Sequence, residues 1–172
     1  VAWVENATWE YRAPISLSPQ EAKAAHKVLE FQGLDTYADV YVNGKLLLEA
    51  NNMFRSWEVD VSKVLTGRND SLRIIFHPPS KRTAKEFAAR PYRLPADNDA
   101  SAQPSSTYSR KASYHFGWDW APRLVTAGIW RPIVLHTWDR LRIEEFSPQT
   151  LSLLPNMARL QGQTRVQVES TG

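Results

Sequence analysis

The stretch "ADVYVNGKLLLE", residues 38–49, decides the fold class. Two strand-like runs, 38–42 and 45–49, flank Asn43-Gly44. A two-residue hairpin turn of type I′ needs positive φ at both central positions, and Asn followed by Gly tolerates this best. The pair is therefore expected to close a hairpin that joins Val42 to Lys45. Outward from it, residues 27–32 repeat every second position, with Leu29 and Phe31 on one face and Glu30 and Gln32 on the other. "RSWEVDV" (55–61) sets Trp57, Val59 and Val61 on one side. "SLRIIFHPP" (71–79) is a further strand, stopped by Pro78 and Pro79, which cannot donate to a ladder. The opening "VAWVENATWEYRAPISL" (1–17) also alternates like a strand, and strands are expected again at "RKASYHF", "GIWRPIVLHTW" and "RLRIEEF". Many short strands separated by turns predict an all-β antiparallel sandwich. A single short helix with a serine cap is expected over 80–90. The Pro- and Ser-rich segment 91–109 is long for a loop in a compact domain, and such loops are usually functional or mobile.

With 172 residues, 42% hydrophobic and 23% charged, the chain is long enough for one packed domain and part of another. The net charge of +3 comes from Lys and Arg scattered among acids. No basic run marks a nucleic-acid surface, and the apolar runs are far too short for a membrane-spanning helix, so neither partner is expected. The absence of cysteine removes disulfide and thiol chemistry and decides nothing about compartment. The histidines at 26, 77, 115 and 136 have no ligand-spaced partner, so no metal site is expected. There is no glycine-rich phosphate loop and no G-x-S-x-G elbow, hence no cofactor is expected. Glu144 and Glu145, adjacent on a strand, point to opposite faces and cannot serve one reacting bond. No catalytic residue is expected on this chain. The sequence changes character near Trp138-Asp139. Residues 140–172 hold two strand-like runs, which cannot bury a core alone; they are expected to open a second β-domain. Starting at Val1 directly in a strand-like run, the chain is expected to be a piece of something longer.

"HFGWDWAPRLVTAGIWRP" (115–132) crowds three of the seven tryptophans around one aspartate, between glycines and prolines. In an extended segment Trp118 and Trp120 would share a face with Asp119 opposite. Gly117 and Pro122 favour a bend, which could aim Trp118 and Asp119 into one cleft. A carbohydrate site uses that pairing: an aromatic plate packs on the C–H face of a sugar ring and a carboxylate accepts from its hydroxyls. The other reading makes the tryptophans core and Asp119 the cap of a turn. The residues alone leave both open.

Three stretches carry a family resemblance: "FQGLDTYADVYVNGKLL" (31–47), "NNMFRSWEVDV" (51–61) and "RKASYHFGWDWAPRLVTAGIWRPIVLHTW" (110–138). Together they resemble the N-terminal sugar-binding domain of family 2 glycoside hydrolases, and among these the β-mannosidases. The G-W-D-W-x-P…T-x-G-I-W block is the specific part; Ala121 stands where β-mannosidases usually have Gly. The resemblance implies a galactose-binding-like jelly roll over residues 1–139, lacking its first strands. It implies an immunoglobulin-like domain beginning at 140, and a downstream TIM barrel holding both catalytic glutamates. In a retaining enzyme those two carboxylates sit about 5–5.5 Å apart. It further implies that Trp118 and Asp119 bind the terminal β-mannoside sugar, while Trp120, Trp130 and Arg131 are structural. The expected function is therefore the non-catalytic, sugar-recognising portion of an exo-β-mannosidase. Two alternatives remain: another family 2 specificity (β-galactosidase, β-glucuronidase or exo-β-glucosaminidase), or a stand-alone carbohydrate-binding module.

Overall fold

The computed structural model describes residues 2–168; Val1 and residues 169–172, the last of the expected second domain, lie outside the described residues. The strands follow one another as β1 (Trp9–Ile15), β2 (His26–Phe31), β3 (Leu34–Asp35), β4 (Tyr37–Val42), β5 (Lys45–Asn51), β6 (Trp57–Asp60) and β7 (Asp70–His77). After a long helical and irregular segment come β8 (Gly128–Ile129), β9 (Ile133–Trp138), β10 (Leu141–Leu154) and β11 (Met157–Val168). The ladders between these strands are antiparallel. One sheet has the order β1-β7-β4-β5, a second β6-β2-β9, and β3 pairs with β8 in a short ladder.

The period-two pattern explains why the two sheets face each other. Leu29 and Phe31 of β2, Ala38, Val40 and Val42 of β4, and Leu72, Ile74 and Phe76 of β7 share one buried cluster. Burying an aliphatic or aromatic side chain fully stabilises by about 1.5–3 kcal/mol. A one-residue slip of β4 on β7 would turn its inward side chains to solvent, so the pattern also fixes register. The sandwich expected from the sequence is the one found.

The Asn43-Gly44 hairpin forms as expected, with Val42 paired to Lys45 and φ of 51° and 78° at the two turn residues. Asn43 does more than turn the chain. Its side-chain amide donates to Val64 O at 2.9 Å and to Asp70 Oδ1 at 2.7 Å, and its Oδ1 accepts from Ser71 N at 2.8 Å. The hairpin tip is thereby fastened to the start of β7.

Four expectations need correction. Residues 2–6 form a 3-10 helix, so the first strand begins only at Trp9. The helix expected over 80–90 is two pieces, Pro79–Arg82 and Ala84–Ala89, and no side chain caps either start. Thr83 sits between them, buried, with its hydroxyl donating back to Pro79 O at 2.9 Å, a bond that competes with regular helix geometry. "RKASYHF" is not a strand: Arg110 makes one isolated bridge to Asn52, and Ser113–Phe116 is a 3-10 helix. Lys111 and Ala112 are both buried, with the Lys111 ammonium held by Asp35 and Ala112 N by Met53 Sδ in place of a strand ladder. "GIWRPIVLHTW" is split at Pro132 into β8 and β9. A short helix (Pro19–Lys23) was not expected, although Ser18 and Glu21 spell a capping box that the structure forms in both directions.

Beyond the sandwich, β10 and β11 pair as a long hairpin whose apolar side chains, among them Leu153 and Leu160, are exposed. Its base is held by Arg142, which donates to Glu58 at 2.5 Å and lies over Trp138, and by Asp139, which accepts from Ala25 N at 2.9 Å.

Gly44→Val should test the turn. Space around a new Cβ is open, so the cost is backbone strain alone, about 1–3 kcal/mol for a β-branched residue at positive φ. A lowered denaturant midpoint with an unchanged slope is the expected result; an unchanged midpoint would show that the turn tolerates any residue.

Candidate functional site

The Trp-Asp-Trp triplet is a tight turn. Trp118 N donates to Ala121 O at 3.2 Å and Ala121 N to Trp118 O at 3.1 Å, so Asp119 and Trp120 are the central residues. Asp119 is exposed. Trp118 is 46% exposed and Trp120 82%, and their rings meet edge-on with centroids 5.8 Å apart. Trp118 and Asp119 are thus adjacent at the tip of one turn, on open surface. Trp120, expected to be structural, is the most exposed tryptophan of the three and packs into no core. Trp130 is half-way: its ring lies over Gly33, where a Cβ would come within 2.5 Å of it, and its Nε1 donates to Met53 O at 3.1 Å, yet it stays 43% exposed. Arg131 stacks on it at 4.2 Å. These two contacts are structural, as expected, but at the surface.

The turn is the tip of a segment that is closely held. Leu124 N donates to His115 O at 3.0 Å below it. Gly117 has φ 112°, and a Cβ there would press on Asn98 O at 3.2 Å, so a side chain is excluded on both counts. Phe116 and Val125 are buried. Arg123 donates to Glu5 at 2.8 Å and to Asp99, linking the segment to the first helix and to the long 91–109 loop. Asp99 organises that loop, accepting from Ser105 N at 2.9 Å, Ser106 N at 3.1 Å and Ser101 Oγ at 2.7 Å. Burial alone would raise its carboxyl; the hydrogen bonds from Ser101 and Ser106 and the Arg123 charge outweigh it and hold the group below the ordinary range.

One cluster was missed by sequence reading. Lys111 Nζ donates to both oxygens of Asp35 at 2.6 Å and to Thr126 O at 2.6 Å, and Thr36 Oγ1 also donates to Asp35. His115 points Nδ1 at Asp35 from 3.7 Å, buried and without a hydrogen bond. Nothing local marks such a pair, because Asp35 and Lys111 are 76 residues apart. The other histidines are engaged elsewhere: His77 with Asp39 and His136 with Glu30, while His26 stacks on Trp138. A cleft of about 590 Å³ runs along β1 and β7, but its arginines, Arg12 and Arg73, face Glu10, and it shares no residue with the turn. The exposed aromatic and carboxylate groups of the turn make it the better candidate.

Comparison with known proteins identifies the family. The sequence profile of the glycosyl hydrolase 2 galactose-binding domain-like family matches residues 1–131. The chain belongs to that family. It is 38% identical over 138 residues to beta-mannosidase B of Aspergillus flavus, covering 79% of this chain and 16% of that protein. It is 36% identical over 152 residues to beta-mannosidase B of Thermothelomyces thermophilus, covering 88% and 17%. The crystal structure of a beta-D-mannosidase from Dictyoglomus thermophilum superposes with a TM-score of 0.83 at 33% identity, over 98% of this chain and 20% of that one. The chain therefore spans about a fifth or less of the length of these relatives.

His115 should give the domain a pH-sensitive component. Burial pushes its ring below the usual histidine value, Lys111 adds to this, and Asp35 opposes it. An unfolded histidine takes up a proton near pH 6.5 that the folded ring resists, so this contribution is complete above that value and is lost as pH falls through it. Denaturant midpoints measured from pH 8 to 5 should fall more steeply for the wild type than for His115→Gln; parallel curves would show that the ring charges freely in the fold.

Proposed function

We propose that this chain is the sugar-recognising, non-catalytic N-terminal portion of a retaining exo-β-mannosidase that removes terminal β-D-mannose. The observation that carries the reading is the Trp118–Asp119 turn, an exposed indole beside an exposed carboxylate, in a family whose similar members are beta-mannosidases. The indole offers a plate to the C–H face of a mannose ring, and Asp119 accepts hydrogen bonds from its hydroxyls. An open turn has no walls of its own. The remaining walls, and both catalytic glutamates, come from a TIM barrel further along the same protein. Residues 1–139 form the jelly-roll domain and residues 140–172 begin an immunoglobulin-like domain, a division supported by the exposed apolar side chains of β10 and β11.

Two measurements test this. In the full-length protein, Asp119→Ala should lower kcat/KM for an aryl β-mannoside by roughly ten- to a hundred-fold, the equivalent of about 1.5–3 kcal/mol for a charge-assisted bond, with little change in Tm. Trp118→Ala should weaken binding to a similar degree. An unchanged kcat/KM with a collapsed melt would make the triplet a turn and nothing more. Residues 1–172 purified alone should turn over no aryl β-mannoside; turnover that survives Asp119→Ala would place catalysis on this chain.

A further inference from the structure

Both stems of the Trp118 turn converge on one buried ion pair. Lys111 lies on the incoming stem and Thr126 on the outgoing one, and the ammonium of Lys111, with no side-chain exposure, bonds Thr126 O and both oxygens of Asp35. An ammonium has three donors, and all three are used in fixed directions. Asp35 is itself fixed from the other side: it pairs with Gly128 across β3 and β8, and its carboxylate accepts from Thr36 and, at 3.4 Å, from Thr126 Oγ1. Stability does not require such a pair, because apolar residues of like volume are often as good in its place. Dispersion between apolar groups, however, has no direction, whereas three hydrogen bonds from one atom set the angle at which two stems leave the sheet.

We infer that Lys111 and Asp35 are positioning residues for Trp118 and Asp119, holding the turn at the pose in which it meets the sugar. This rests on the reading of that turn as the recognition element. Neither residue touches the sugar; both act through the stems.

The test uses the full-length protein carrying Lys111→Met with Asp35→Leu, which removes both charges together and leaves neither buried alone. Three results are expected. The melt stays cooperative; amide exchange at Trp118 and Ala121 speeds up while exchange in β2 and β4 does not; and kcat/KM for an aryl β-mannoside falls by about ten- to a hundred-fold, the scale of a displacement near 1 Å. In a Trp118→Ala/Asp119→Ala background the same two substitutions cost no further activity. Where the first variant fails to melt cooperatively, Lys111→Met with Asp35→Ala removes the same hydrogen bonds without the added bulk of leucine and is read the same way. Wild-type exchange at the turn with wild-type kcat/KM in a folded charge-free variant overturns the inference. So does a loss that adds in full to that of the Trp118→Ala/Asp119→Ala background. A wild-type enzyme without activity on β-mannosides defeats the proposed function only, and the exchange rates at the turn then decide the positioning.

Discussion

A lysine ammonium shut off from water, gripped by both oxygens of Asp35 and bonded to Thr126 O, is the constraint that ties both stems of the Trp118–Ala121 turn to the sheet. Removing one member of a buried pair leaves an uncompensated charge and costs about 3–5 kcal/mol, so neither residue can be replaced alone without that loss. The surroundings are correspondingly selective. Burial pulls Lys111 below its ordinary value and the Asp35 charge pulls it back. His115, facing the same carboxylate, is pushed toward its neutral form by burial and by the lysine. One cation and one anion balance in this pocket, and a second cation is resisted. The pair sits where β3 meets the segment from Lys111 to Thr126, so charge geometry, added to the buried Phe116 and Val125, ties that segment to the sheet.

That arrangement explains how glycine- and proline-rich chain can carry exposed tryptophans without collapsing onto them. The sandwich supplies the core, and the loop borrows its order from outside: Lys111 and Asp35 at the stems, Arg123 with Glu5 and Asp99 at the flank, Gly117 at a backbone conformation that excludes a side chain. Rigid scaffold and functional loop are the usual division of labour in sheet proteins. Here it leaves Trp118 and Trp120 in mutual edge contact but largely open to solvent, a patch of the kind that folded domains keep for contact with something else.

The parts legible in the sequence are those whose physics is local. The Asn43-Gly44 turn was readable because positive φ is a property of two adjacent residues, and β2, β4 and β7 because inward side chains recur at every second position. The family was readable because the G-W-D-W block is contiguous. The missed elements fail for opposite reasons. The capping box at Ser18 and Glu21 is local, but the helix it starts is only five residues long and carries no apolar period. The "RKASYHF" strand was misread because Lys111 looks like a surface charge until Asp35, distant in sequence, is placed beside it. Trp120 was assigned to the structure on motif grounds, yet its exposure is set by the tightness of the Trp118–Ala121 turn, which a motif does not reveal. Ion pairs across long separations and the direction in which a turn presents its side chains are decided by the assembled fold.

The joint between the sandwich and the β10–β11 hairpin follows a different logic from the core. Its bonds are peripheral: Arg142 to Glu58, Arg142 over Trp138, Asp139 to the backbone of Ala25. Partly exposed ion pairs contribute at most about 1 kcal/mol each, enough to orient a hairpin and too little to stabilise one. Two strands alone are marginal in water. Yet β10 and β11 carry Leu141, Ile143, Phe146, Leu153, Leu160 and Val166, all exposed. Side chains of that type gain stability only when covered, so the hairpin's own sequence calls for a facing surface, as the first strands of a second β-domain would. Under the proposed division into two domains, a polar joint would set the direction in which the second leaves the sandwich while letting each core form on its own.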